Sequence, residues 1–283
     1  MPMSFHLPLQ TRAPLRCAVP LWCLCVFGAA PAAAVPLPDT YLGGADHGYG
    51  DVIGDPRLFD IHGAEIVRED GRLRVDIRTS FIGHVGVYAS LTRNGKGIGY
   101  GDLLLGGAWT PFVKPGDSSA ANTVGHLFDN AMNGTWWQYG LSLDDPWSKD
   151  ASGSFSFYRL SGTNAENLVM TEELFKPGAI VRTGQAVHVD RAAPTVDLLG
   201  TGTWQVFDGP DARLSFDLDL SLDPTGRLEA WEYLSLHWGM TCNNDAIEGG
   251  VALPSVPEPG TLSLLGLGVA GGLAVRRRRR ARH

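Results

Sequence analysis

The chain has 283 residues, 44% of them hydrophobic and 19% charged, with 36 glycines and a formal net charge of −7. This apolar fraction suffices for a packed core and excludes a wholly disordered chain, while the glycine content argues against a helical bundle or coiled coil. The charge is uneven, because residues 35–256 hold 15 basic and 29 acidic side chains, a net charge of −14, which argues against nucleic acid as a partner.

The first segment, residues 1–34, is typical of a cleaved signal peptide. It has two arginines and no acidic residue, an apolar run at 18–30, and a final Pro31-Ala32-Ala33-Ala34. Small residues at the −3 and −1 positions predict cleavage by signal peptidase after Ala34. A retained anchor is the alternative, but the apolar run is shorter than the ~20 residues of a membrane-spanning helix. We therefore expect a signal helix that directs the chain to the Sec translocon and is removed.

Removal of this segment changes the cysteine count. Three of the four cysteines lie within residues 1–34, so only Cys242 would remain in the mature chain. An exported protein with one cysteine has no internal disulfide. Cys242 is then either a buried small apolar residue or a free thiol.

An acidic, glycine-rich stretch follows at residues 39–60. Oxygen-rich loops with glycine can wrap a hard cation, so a calcium site is one interpretation. The candidate ligands are Asp46, Asp51, Asp55, Asp60 and Asp102, with Asp39 in the same stretch and Asp245 as an additional carboxylate. The spacing matches neither an EF-hand loop nor a nonapeptide calcium repeat, so a solvated acidic loop is the other interpretation. Calcium is the only cofactor that the sequence suggests.

The body of the chain has the alternation of β-strands. Residues 72–81 alternate apolar and polar side chains, and the run at 58–67 leads into them through an Asp70-Gly71 hairpin signal. Residues 214–222 alternate as clearly, and a turn at 223–226 predicts a returning strand at 228–238. Shorter candidate strands are 85–91, 100–105, 135–143, 154–160, 186–190 and 196–207, and residues 171–175 predict one helical turn.

These strands predict the fold class and the domain boundaries. Eight to twelve antiparallel strands without a repeat favour an all-β domain, an antiparallel two-sheet β-sandwich or jelly roll, at residues 35–248. Residues 249–255, rich in glycine and proline, are interpreted as a linker.

Motifs for catalysis are missing from the sequence. It contains no His-Glu-x-x-His, Cys-x-x-Cys, Gly-x-Ser-x-Gly or phosphate-binding glycine loop. Glu229 and Glu232 lie three apart on a predicted strand and would face opposite sides of the sheet, so they do not form a local catalytic pair. We therefore predict no catalytic residues and a protein that is not an enzyme.

Two adjacent tryptophans provide a different kind of candidate site. Trp136 and Trp137 must point to opposite sides of a strand, so one of them is exposed unless both faces of the sheet are covered. An exposed indole on a β-domain can stack against a sugar ring, whereas core packing is the alternative role.

The last segment, residues 256–283, has three parts in a fixed order. Pro257, Glu258 and Pro259 are followed by the apolar, glycine-containing run 261–275. A cationic stop closes the chain, formed by Arg276, Arg277, Arg278, Arg279 and Arg280. The apolar run with its basic flank predicts a short transmembrane helix whose arginines stay in the cytoplasm.

This three-part pattern resembles the PEP-CTERM sorting signal of Gram-negative bacteria. The resemblance implies that an exosortase recognises Pro257, Glu258 and Pro259 and that the tail is removed. The protein would then be anchored transiently in the inner membrane before it reaches the cell surface or the extracellular space.

Together these features predict an exported cell-surface or extracellular-matrix protein that is non-catalytic. The resemblance to the PEP-CTERM family further implies sorting by an exosortase and association with exopolysaccharide in a biofilm. The alternative is a secreted polysaccharide-active hydrolase or a carbohydrate-binding module with a calcium-stabilised β-sandwich. Two carboxylates that face each other across a cleft would favour the hydrolase.

Overall fold

The computed structural model describes residues 33–44, 50–116 and 126–254. The predicted signal helix, the calcium candidate Asp46, the sorting residues Pro257, Glu258 and Pro259, and the arginine stop lie outside the described residues. Ala34 is described: it is exposed and directly precedes the first strand. Within the described ranges, none of the helices has the length and apolarity needed to cross a membrane.

Twelve strands are the main regular elements of the described chain. They are β1 Val35–Leu37, β2 Ile61–Glu69, β3 Arg72–Thr79, β4 Leu103–Gly106, β5 Tyr139–Leu143, β6 Ser152–Leu160, β7 Leu168–Met170, β8 Ala186–Val189, β9 Val196–Phe207, β10 Arg213–Asp219, β11 Tyr233–Gly239 and β12 Ala246–Ala252. The described helices are single turns, at Pro56–Phe59, Asn164–Asn167, Thr171–Leu174 and Arg227–Ala230, with 3-10 turns at Ala89–Leu91 and Leu220–Leu222.

Ten of these strands form one antiparallel sheet in the order β1-β2-β3-β10-β9-β6-β5-β4-β11-β12. The sheet curls until β12 lies against β1 and β2. Strands β7 and β8 form a separate ribbon, and β8 packs on β5. The antiparallel all-β prediction is confirmed, whereas the strands are not shared between two large sheets.

The β2–β3 hairpin is the clearest confirmed prediction. The two strands pair from Ile61 opposite Thr79 to Glu69 opposite Arg72, with one register shift between Ile61 and Gly63. Asp70 and Gly71 between them have φ values of 50° and 73°. Positive φ at both central residues is the geometry that lets a two-residue turn follow the twist of its strands.

The predicted hairpin between residues 214–222 and 228–238 is wrong. Strand β10 pairs with β3 and β9, whereas β11 pairs with β4 and β12. Asp223 stabilises the turn between β10 and β11. Its carboxylate accepts hydrogen bonds from the Thr225 and Leu228 backbone amides and from the Tyr139 hydroxyl. The chain therefore leaves the sheet for one helical turn before β11 begins.

A predicted strand and the predicted linker also differ from the structure. Residues 85–91 form turns instead of a strand, since Gly86 and Tyr88 have φ values of 93° and 56°. Part of the predicted linker belongs to the sheet, because β12 continues to Ala252. Within β12, glycine is required at position 249 by close packing. A Cβ at Gly249 would be 2.8 Å from Leu37 Cδ1, at the place where the two ends of the sheet meet.

The segment after β12 is also fixed to the domain. Leu253 is buried, and its backbone amide donates to the Glu232 carbonyl at 2.8 Å. The Pro254 carbonyl accepts from Arg68 Nη2 at 3.0 Å, and the same guanidinium donates to the Glu229 carbonyl at 3.0 Å. The described chain therefore stays bound to the domain up to its last residue.

The main core fills the inside of the curled sheet. It is rich in aromatic side chains, among them Trp204, Trp238, Phe155, Phe157 and Phe216, each at most 1% exposed. A smaller cluster around Trp137, Leu104 and Val189 lies between the sheet and the β7–β8 ribbon. Because both faces of β5 are covered, all five of its residues are buried, which hides the alternation expected of a half-buried strand.

Candidate functional site

Three carboxylates meet where the ends of the sheet approach each other. Asp39 follows β1, Asp245 precedes β12, and Asp51 lies in the loop between β1 and β2. One carboxylate oxygen from each of these residues lies within 4.8 Å of the others. We call Asp39, Asp51 and Asp245 the aspartate cluster. Asp51 is exposed, so solvent reaches the cluster from that side.

Burial and mutual repulsion make ionisation of the cluster costly. The Asp39 oxygens are both shielded from solvent and have no hydrogen-bond partner among the described residues. Burial, then the charges of Asp245, Asp51 and Asp60, raise the Asp39 pKa to about 9. Burial raises the pKa of Asp245 to about 7, although its oxygens accept from the backbone amides of Ile61 at 2.7 Å and Ala246 at 2.8 Å. Unless a cation binds among these carboxylates, the aspartate cluster therefore tends to retain protons.

The buried guanidinium of Arg182 lies beside the aspartate cluster. It donates to backbone carbonyls of three separate segments, those of Leu42, Gly43, Gly50, Asp51 and Asn243. Burial is the main influence on Arg182 and lowers its pKa, while the nearest carboxylate charges, led by Asp245, oppose that change. Arg182 therefore ties the acidic loop to the strand ends and supplies one positive charge beside three carboxylates.

The predicted calcium ligands divide into two groups. Asp51 belongs to the cluster, and Asp60 is close enough for its charge to raise the pKa of Asp51. Asp55 instead caps the Pro56–Phe59 turn and pairs with Arg57 at 2.8 Å. Asp102 is buried elsewhere and accepts from the backbone amides of Leu143 at 3.0 Å and Val189 at 2.8 Å. The structure therefore places Asp55 and Asp102 outside the aspartate cluster.

A separate pair of buried carboxyl groups lies between the sheet and the ribbon. Asp129 and Glu248, 1% and 5% exposed, hydrogen-bond to each other. Burial, then the charge of Glu248, raises the pKa of Asp129 to about 8. The Tyr41 hydroxyl donates to Asp129 at 3.0 Å, and the Trp109 indole donates to Glu248 at 3.1 Å. Burial and the neighbouring Glu248 charge therefore favour the protonated form of Asp129 at neutral pH.

His237 extends this pair to the ribbon. Its Nε2 lies 3.0 Å from the Ala186 carbonyl and its Nδ1 lies 3.0 Å from Glu248 Oε2. A carbonyl only accepts, so Nε2 carries a hydrogen, and Nδ1 either accepts from a protonated Glu248 or donates to its carboxylate. The carboxyl groups of Asp129 and Glu248 touch directly, whereas a glycosidase keeps its two carboxyl groups about 5 Å or more apart to admit the sugar. His237 and Glu248 therefore link β11, β12 and β8 by hydrogen bonds. This arrangement differs from the two separated carboxylates that the hydrolase alternative requires.

The adjacent tryptophans point in opposite directions, as predicted. Trp137 is 1% exposed in the small core, whereas Trp136 is 55% exposed. Glu229 and Glu232 are both exposed, but Glu229 lies in a helical turn and not on a strand. The sequence contained no local signal for the Asp129–Glu248 pair, because its members come from a loop and from the last strand.

A comparison with protein-family models identifies the C-terminal segment. Residues 255–279 match the PEP-CTERM protein-sorting motif. The chain therefore carries a PEP-CTERM sorting motif. No curated protein matches the chain, and no solved structure matches its fold.

The PEP-CTERM motif establishes the destination of the protein more firmly than its activity. It implies processing by an exosortase and export toward the cell surface. The motif begins one residue after Pro254, the last residue that the structure describes, whose carbonyl accepts from Arg68. The β-domain is thus attached directly to its sorting motif.

Cys242 is expected to be inert in the folded protein. It is fully buried, and burial raises the pKa of its thiol to about 12, so the reactive thiolate is scarce at neutral pH. Labelling with a thiol reagent, followed by peptide mapping, should leave the Cys242 peptide unmodified until guanidinium chloride is added. Rapid labelling of that peptide in the native protein would contradict the burial that the structure shows.

Proposed function

We propose that this chain is a non-catalytic surface protein whose β-domain is delivered to the exopolysaccharide matrix of a biofilm. Delivery follows a fixed order. The Sec translocon exports the chain, signal peptidase cuts after Ala34, the tail holds the protein in the inner membrane, and an exosortase then removes the tail. The observation that carries this proposal is the PEP-CTERM motif joined to a folded, acidic domain.

The structure is compatible with each cleavage that this order requires. Ala34 is exposed and directly precedes β1, so cleavage after it would leave every strand intact. Among the described residues the last sheet pairing is at Ala252, before the motif begins, so removal of the tail would not remove a described strand. Both cleavages would therefore leave the twelve described strands intact.

The sorting proposal is tested on the protein in its native host. Mass spectrometry of the surface-exposed protein should find a new N-terminus at Val35 and a C-terminus upstream of the arginine stop. Replacing Pro257, Glu258 and Pro259 together by alanine should leave the full tail attached and retain the protein in the inner membrane. Glu232→Ala, a change at an exposed carboxylate outside the motif, is the matched control and should be processed normally. Recovery of an intact Arg276–Arg280 tail outside the cell would refute the proposal.

We also propose that the aspartate cluster binds a calcium ion. Oxygens at most 4.8 Å apart can share an ion whose bonds to oxygen are about 2.3–2.6 Å long. The Asp39 oxygens lack any other partner among the described residues, and Asp51 leaves the cluster open to solvent. Asp39, Asp51 and Asp245 would hold the ion, with Asp60 near enough to add charge. Calcium would neutralise these carboxylates and link the loop after β1 to the start of β12.

A further inference from the structure

A surface groove near the end of β4 has the walls of a sugar-binding site. It encloses about 450 Å³, within the ~300–1,000 Å³ typical of small-molecule sites. Its lining residues are Gly107, Ala108, Thr110, Trp136, Gln138, Arg227 and Trp231. We call this the tryptophan groove, because two of its lining side chains are indoles. It is separate from the aspartate cluster and from the Asp129–Glu248 pair.

Both indole rings are held in place by the domain. Trp136 Nε1 donates to the Gly162 carbonyl at 3.0 Å, which fixes an indole whose side chain is 55% exposed. Trp231 is half-buried and packs edge-on against Tyr139, with ring centroids 5.5 Å apart at 70°. Side chains that are already fixed lose little conformational entropy when a ligand binds.

Gly107 allows the second indole to lie close to the groove floor. A Cβ at this position would be 2.9 Å from Cε2 and 3.0 Å from Nε1 of Trp231. Any larger residue would push the indole away. The glycine therefore shapes the groove, and the Gln138 side-chain carbonyl fixes the same backbone by accepting from the Gly107 amide at 3.1 Å.

The groove also contains hydrogen-bond donors that the domain does not use. Among the described residues, no hydrogen-bond acceptor is assigned to Trp231 Nε1, to Gln138 Nε2, to the Thr110 hydroxyl or to the Arg227 guanidinium. The groove thus combines flat aromatic faces with several free donors. Pyranose rings have the complementary surface, since their C–H faces stack on aromatic rings and their hydroxyls accept hydrogen bonds.

We propose that the tryptophan groove binds a neutral polysaccharide, with a pyranose ring stacked on Trp136 and its hydroxyls bonded to Arg227, Gln138 and Trp231. Neutral chains are favoured over polyanions because residues 35–256 carry a net charge of −14. The inference rests on the proposed function for its extracellular setting and deepens it by naming the ligand class. Binding itself can be tested without sorting.

The test measures binding of the full chain in detergent to soluble polysaccharides by affinity electrophoresis and by calorimetry with oligosaccharides. The probes are a β-1,4-glucan oligomer, a galactomannan and, as the polyanion, alginate. At least one neutral probe should bind. Trp136→Ala should weaken that binding about tenfold or more, a loss of about 1.4 kcal/mol, since tryptophans are among the side chains that most often dominate binding sites. Arg227→Met should also weaken it, whereas Phe207→Ala, a change at an exposed aromatic outside the groove, should not.

Thermal unfolding of each variant verifies that the domain is folded. If no probe binds, if only alginate binds, or if Trp136→Ala and Arg227→Met both bind as well as the parent chain, the inference is wrong. Those outcomes leave the sorting proposal standing, because it depends on the processed termini. An intact tail outside the cell would refute sorting and leave the groove result unaffected.

Discussion

An Arg182→Met variant is expected to lose about 3–5 kcal/mol of unfolding free energy, the range found when one partner of a buried charge network is removed. The guanidinium donates to backbone carbonyls in the loop after β1, in the acidic loop and beside β12. Methionine fills similar space but donates no hydrogen bond, so these carbonyls lose their partner and the aspartate cluster loses its nearest cation. Chemical denaturation followed by tryptophan fluorescence measures the loss.

The control is an arginine with an exposed ion pair. Arg159 pairs with Asp197 at 2.9 Å on the surface, so Arg159→Met should cost no more than about 1 kcal/mol. Arg182→Lys keeps the charge without the fork of donors and should lie between the two. If Arg182→Met costs no more than Arg159→Met, Arg182 does not organise this end of the sheet. A variant too unstable to purify is compared through Arg182→Lys.

Calcium is expected to raise the midpoint of thermal unfolding by about 5–10 °C, because a ligand at about 100 times its Kd adds about 2.7 kcal/mol. The increase should be larger at pH 8.5 than at pH 5, because protons compete with the ion for the carboxylates. Thermal unfolding in calcium or in EDTA at both pH values measures it. Asp245→Asn should abolish the response, whereas Asp55→Asn, outside the cluster, should keep it.

The pH dependence without calcium has a definite sign. The pKa of Asp39 rises from 3.8 to about 9 on folding, and that of Asp129 rises to about 8. The folded state then binds more protons than the unfolded chain within that window, so the free energy of unfolding should fall as the pH rises through it. In EDTA, Asp39→Asn should therefore stabilise the domain at high pH while removing the calcium response. Equal calcium responses in the parent chain and in Asp39→Asn would refute the cluster as a metal site.

Much of the local structure was predictable from the sequence, whereas the pairing of distant strands was not. Alternation marked β3 and β10 because each has one face in the core and one toward solvent. The same alternation says nothing about partners, and β10 pairs with β3 and not with the next strand along the chain. The start of β5 was predicted at residue 135 but lies at Tyr139. Its residues do not alternate in burial, because the ribbon covers the outer face of the strand.

The sequence predicted the type of candidate site, a group of aspartates, but not which aspartates form it. The acidic loop was recognisable from its carboxylates and glycines, and Asp51 is in the cluster. Asp102 resembled a ligand equally well in the sequence, but two backbone amides occupy its oxygens. Asp39 and Asp245 come together because the sheet closes on itself, and no local pattern encodes that closure.

The way the chain leaves the sheet limits the freedom of the sorting enzyme. Leu253 and Pro254 are both bound to the domain, and two residues separate Pro254, the last residue that the structure describes, from Pro257. Three residue steps of fully extended chain reach at most about 11 Å. While Leu253 and Pro254 stay bound to the domain, an enzyme that binds Pro257 has to approach Pro254 within this distance. The Arg68 guanidinium, which donates to the Pro254 carbonyl, therefore sets how far from the domain the motif can be presented.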